Sequence, residues 1–148
     1  MNAWEQYSDR IHSALENVAK KSMAKAGEEL KKNGCDEVAV SVDGTWQRRG
    51  FSSKNGIVTC VSVGNDLACK VINVELLTSH CQACALAKSR MADDELKEWM
   101  AGHKSECTSN HDGSAGSMEP KGALTIFKRS EEKHGLRYTH FLGDGDSK

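Results

Sequence analysis

Apolar side chains recur at three- and four-residue intervals from about Trp4 to Lys32: Ile11, Leu15, Val18, Ala19, Met23, Ala26 and Leu30. Asp9, Arg10, Glu16, Lys20, Lys21, Glu28 and Lys31 fall on the opposite face, the pattern of an amphipathic helix. The stretch "NGCD" ends it, with Gly34 suited to the C-terminal cap. Such a helix packs on a core, reaches to a partner or closes an upstream domain, and packing is the expectation here. The period then changes to two. Val38, Val40 and Val42 mark one face of a strand over Glu37 to about Gln47, and further strands are predicted over Gly56–Val63 and Cys69–Leu77. The turn signals "FSSKNG" and "GND" between them predict an antiparallel meander.

From His80 to about Glu119 the strand pattern lapses. A charged helix is predicted around Asp93 to Met100, followed by the polar stretch "NHDGSAGSMEP". Regular structure resumes in "GALTIFKRSEEKHG", where Leu124, Phe127 and Ile126 are expected on one face and Gly135 as the stop. Arg137 to Leu142 reads as a fourth strand, and "GDGDS" as the turn beyond it. Three strands, an insertion, a helix and a strand define an α/β chain with residues 1–34 as a helical lead-in.

At 148 residues the chain is about one domain, and 38% hydrophobic residues with a mean hydropathy of -0.58 suit a water-exposed protein. No apolar run approaches a membrane span, and "MNAWEQYSDR" lacks the build of a signal peptide, so a nuclear or cytoplasmic location is expected. A net charge of -1 leaves no bulk electrostatic footprint for nucleic acid. Any such function has to come from a site.

Two constellations carry chemistry. "CQAC" sets Cys81 and Cys84 at C-x2-C spacing, and "HKSEC" sets His103 and Cys107 at H-x3-C. Two such pairs, joined by enough chain for a helix and its return, form a natural tetrahedral Cys3His zinc site of the structural kind. His111 competes with His103 as the nitrogen ligand, and His80 is a weaker choice. Cys35, Cys60 and Cys69 lack such spacing and are expected in strands or loops. The second constellation begins with Asp43, on the face of its strand opposite the valines. By itself "DG" is an ordinary turn pair. A second carboxylate brought to the same place would change that reading. Arg48, Arg49 and Lys54 nearby are candidates for phosphate contacts, or simply a solvated hairpin.

"VSVDGTWQRRGFSSKNG", the C-x2-C and H-x3-C pairs, "NHDGSAGSME", "IFKRS" and "LGDGDSK", in this order, resemble the Mutator-like transposase domain. The resemblance implies an RNase H-like mixed sheet, with an antiparallel β1-β2-β3 meander and β4 parallel to β1. Residues 35–148 would be the N-terminal part of that domain, with a zinc-binding insertion at about 79–119. It also implies that Asp43 and Asp144, or Asp146 in place of the latter, hold Mg²⁺ or Mn²⁺ for DNA strand cleavage and strand transfer. Transposases of this fold carry a third acidic residue on a later helix, and this sequence stops at Lys148. It therefore reads as an incomplete domain that binds DNA weakly on its own. Glu119 could lie near the site but is expected to serve the start of its helix. The rival expectation is a non-catalytic, zinc-stabilised module that binds DNA or protein. Further copies of the chain are the other partner considered, and a membrane is not one.

Overall fold

The computed structural model describes residues 3–34, 36–48, 52–64 and 69–143. The elements are α1 (Ala3–Lys32), β1 (Glu37–Trp46), β2 (Asn55–Val63), β3 (Val71–Thr78), α2 (Gln82–Arg90), α3 (Asp93–His103), α4 (Met118–Lys128), α5 (Ser130–His134) and β4 (Arg137–Leu142). A short 3-10 turn over Ala115–Ser117 leads into α4. The strands form one sheet in the order β3-β2-β1-β4. The links 47–54 and 64–70 are too short for a crossover, which makes β1-β2-β3 an antiparallel meander. β4 runs parallel to β1, with Glu37 opposite Arg137 and Ser41 opposite Leu142. A register shift falls between Val38 and Ala39. The three-strand meander is the one read from the sequence, and the parallel β4 is what the family resemblance implied.

Two compact units share these strands. The first holds residues 1–42, 60–73 and 126–148. Its core is built from the alternating face of β1, with Val38, Val40 and Val42 buried, together with Cys60, Ile72, Ile126, Leu136 and Tyr138. Asn73 is fully buried beside Ile72, and its Oδ1 accepts hydrogen bonds from Arg129 Nη2 at 2.8 Å and Lys133 Nζ at 3.1 Å. Burial pushes the Cys60 thiol and the Tyr138 hydroxyl up to about 12. Gly135, at φ 58°, takes the left-handed conformation that ends α5 and turns the chain into β4. Only the end of α1 joins this core. Ala26, Gly27 and Leu30 are buried, whereas Ile11, Leu15 and Val18 are exposed, so the expected core-packing helix packs by its last turns alone. At Gly27 a methyl group would lie 3.1 Å from His134 Nδ1, the closeness with which α5 meets α1. Lys70 pairs with Glu29 of α1 and holds its carboxyl below the usual range.

The second unit holds residues 43–59 and 74–125. Here α4 lies close on the strands because glycines stand where side chains would separate them. A methyl group at Gly122 would sit 2.5 Å from Val58 Cγ2 and 3.0 Å from Leu77 Cδ1. At Gly56 it would meet Met118 Sδ at 3.0 Å. Trp46 closes the same contact by donating from Nε1 to the Ala115 carbonyl at 2.9 Å. The inward face of α4 is therefore the i, i+4 pair Met118 and Gly122, with Ile126 next in the series, and Leu124 is 56% exposed. Leu124 therefore does not share a face with Ile126 as expected, because Ile126 is buried in line with the central packing glycine and Leu124 is not. Ser53 knits the β1–β2 link, accepting from the Arg48 backbone N–H at 3.3 Å and donating to the Asn55 carbonyl at 2.8 Å.

Two helix-interior glycines separate packing from propensity. Gly102 of α3 has open space around it, so Gly102→Ala is expected to stabilise by up to about 1 kcal/mol. Gly122→Val is expected to destabilise by about 1–3 kcal/mol or more by overpacking. Urea midpoints of the two variants check this, and an unchanged midpoint for Gly122→Val contradicts the close approach.

Candidate metal centre

Within the second unit, residues 79–110 leave the sheet and return to it. α2 buries only Ala87, and α3 buries no residue at all. Helices this short are marginal in water without tertiary support. What they share is a side-chain cluster. Cys81 stands at the N-cap of α2 and Cys84 in its first turn, His103 is the last residue of α3, and Cys107 follows the turn beyond it. One ligand atom from each of the four lies within 4.8 Å of the others.

The distances fit zinc. Zn–S bonds of about 2.3 Å meeting at the tetrahedral angle separate two sulfurs by about 3.8 Å, and a shorter Zn–N bond brings sulfur and nitrogen slightly closer. Cys84 Sγ and Cys107 Sγ are 3.7 Å apart, and Cys81 Sγ is 3.3 Å from His103 Nε2. The protonation pattern also fits a cation. The Cys84 backbone N–H, then His103 and Thr108, hold the Cys81 thiol down to about 5. Burial, with Cys107 and Cys81 as neighbours, pushes Cys84 up to about 11. A positive charge among the sulfurs would favour the ionised form of Cys84 that its surroundings otherwise oppose.

Several residues that the sequence did not single out support this arrangement. Trp99, one turn before His103 on α3, stacks on its ring with centroids 4.4 Å apart and an interplanar angle of 18°. Its i, i+4 spacing was the available signal, and its role is to fix the imidazole plane, as partners behind a metal ligand commonly do. Asn110 fastens the exit of the excursion to its entry. Its Oδ1 accepts from the Thr78 backbone N–H at 2.8 Å and its Nδ2 donates to the Leu76 carbonyl at 2.8 Å. The backbone N–H groups of Asn110 and His111 both donate to the Thr78 carbonyl. Lys121 Nζ then donates to the Asn110 carbonyl at 3.0 Å.

The competing histidines are engaged elsewhere. His111 is buried, with Nε2 2.9 Å from Ser117 Oγ and 3.1 Å from the Ser114 carbonyl, which ties down the loop before α4. Gly113 belongs to the same loop, since a methyl group there would stand 3.1 Å from His111 Nε2. His80 Nε2 lies 3.2 Å from Gln82 Oε1 and outside the cluster.

Asp43 is exposed near the end of β1, just past the buried Val42. Glu119, in the first turn of α4 where the helix N-terminus favours an acid, reaches the same strand: a methyl group at Gly44 would be 3.0 Å from its Oε2. Asp144 and Asp146 lie outside the described residues, as does Arg49. Arg48 and Lys54 are exposed at the β1–β2 link.

The architecture is thus a mixed α/β sheet in the order β3-β2-β1-β4, with an aspartate near the end of β1 and a Cys3His cluster between β3 and α4. The sequence model of the Mutator-like transposase family matches residues 2–148, and the chain belongs to that family. No curated protein and no solved structure matches it. Among the described residues no helix is long and apolar enough to cross a membrane.

Purified protein is expected to carry one zinc per chain, removed by Cys84→Ser or His103→Ala. In His111→Ala the zinc should stay, with a stability loss of about 1–3 kcal/mol from the broken buried contacts. Elemental analysis decides it, and zinc retained in His103→Ala but lost in His111→Ala contradicts the assignment.

Proposed function

We propose that this chain carries the first two metal-binding carboxylates of a Mutator-like transposase catalytic domain, Asp43 and Asp144, together with a structural zinc centre at Cys81, Cys84, His103 and Cys107. The observation that carries the reading is the parallel pairing of β1 with β4, in which Ser41 stands opposite Leu142. Two residues beyond each come Asp43 and Asp144. Parallel neighbours bring their carboxyl ends to one end of the sheet, where ligand sites of α/β sheets commonly sit, and this supports the pairing.

The donor chemistry keeps the two kinds of metal apart. Carboxylate oxygens suit Mg²⁺ or Mn²⁺, and a thiolate-rich cluster suits zinc. Bound Mg²⁺ ions would stabilise the attacking and leaving oxygens of an in-line displacement at a DNA phosphodiester. The chain's own contribution is position. Asp43 is held by a strand whose other face is buried, so its carboxylate is displayed on a rigid element. DNA is the substrate class that family membership supports, with Arg48 and Lys54 as exposed cations on the link that follows Asp43.

Mn²⁺ titration of the full chain, followed by paramagnetic resonance, tests this without requiring turnover. Asp43→Asn and Asp144→Asn are each expected to weaken binding at least about tenfold, the loss of roughly 1.4 kcal/mol, and Asp146→Asn to weaken it less. Unchanged Mn²⁺ affinity in Asp43→Asn, with zinc retained, would leave a zinc-stabilised binding module as the better account.

A further inference from the structure

α1 is held by its last turns, where Ala26, Gly27 and Leu30 are buried. The side chain that meets Gly27 is His134, the last residue of α5. Because Gly27 has no side chain, the imidazole lies against the helix itself: a methyl group there would stand 3.1 Å from Nδ1, 3.5 Å from Cγ and 3.6 Å from Cβ of His134. The other ring nitrogen, Nε2, is buried and has no hydrogen-bond partner among the described residues. A neutral imidazole can leave one nitrogen bare. An imidazolium carries a proton on both, so it would add a charge and an unpaired donor to this contact.

The charged groups that bear on the ring are cations. Lys31 comes from α1, Arg129 from the turn before α5, and Lys133 from α5 itself. Arg129 and Lys133 both donate to Asn73 Oδ1 on β3, and the Lys31 ammonium lies against Gly135. β3 also brings the Ile72 backbone to the ring, and this alone favours the charged form. Among the acids of the two helices, Glu29 pairs with Lys70 and Glu131 with Arg137. Burial, then Lys133, Arg129 and Lys31, hold the imidazole below the ordinary histidine value of 6.5.

We infer that His134 is a pH-sensitive latch on α1: neutral, it seats the last turns of α1 against α5, and protonated it releases them. Release exposes the ring, which then takes up a proton at the ordinary histidine value, so the released state binds protons more readily than the docked one. Docking is therefore complete above about pH 6.5 and weakens as pH falls through that value. Since α1 buries no residue before Ala26, freeing these turns frees the whole helix. The inference is independent of the catalytic reading, because neither α1 nor α5 contributes a proposed metal ligand.

Hydrogen exchange of the full chain, read by NMR and corrected for the intrinsic effect of pH, tests it. Amides of residues 26–32 are expected to lose protection between about pH 7.5 and pH 5.5, while the His134 ring titrates below the ordinary histidine value. His134→Gln, neutral throughout, is expected to show no such loss. Lys31→Glu should move the His134 titration upward and shrink the loss, a response that a ring serving only as packing would not give. Protection that is equal at both pH values overturns the inference. So does the same loss in His134→Gln, the result expected if acid acts through the zinc ligands instead. Should His134→Gln undock α1 at both pH values, Lys31→Glu decides the matter, and a His134 titration that it leaves unmoved overturns the latch.

Discussion

The region between β3 and α4 depends on one interaction, the convergence of three sulfurs and one nitrogen. α2 and α3 together bury a single alanine, far less than is needed to offset the entropy of ordering their residues. A structural zinc ion contributes on the order of 10 kcal/mol or more in comparable small sites, which exceeds anything the local packing can supply. The helices are held by their ends, at the start of α2 and the end of α3, and the rest of their surface is left to solvent. Asn110 and His111 then return the chain to Thr78 and deliver it to α4.

That delivery matters because α4 packs on the strands through glycines. Gly56 and Gly122 let Met118 and the helix backbone approach Val58 and Leu77, and Trp46 fastens the preceding turn. The result fixes the end of β1, where Asp43 is displayed on one side and Gly44 receives Glu119 on α4. A metal ion held by this cluster would contribute no catalytic group, yet it would bear on the proposed chemistry by setting where α4 begins.

The sheet was legible because its signals are local. Val38, Val40 and Val42 alternate cleanly, and turn residues separate the strands. The Cys3His cluster was legible because C-x2-C and H-x3-C are constrained by the geometry of helix turns. The choice between His103 and His111 was not, since it depends on the Ser114 and Ser117 contacts that draw His111 into a different loop. α2 escaped notice because its residues are arranged around metal ligands and carry no apolar period. The sequence also misled at α1 and α4. An apolar stripe does not say whether it is covered, and Leu124 stands out in the sequence more than Gly122, although the glycine makes the contact.

X-ray absorption at the zinc edge of the purified full chain tests the account most directly. It predicts four-coordinate zinc with three sulfurs at about 2.3 Å and one nitrogen at about 2.0–2.1 Å, and no open position. A shell of two sulfurs and two nitrogens, or one dominated by oxygen, would contradict it.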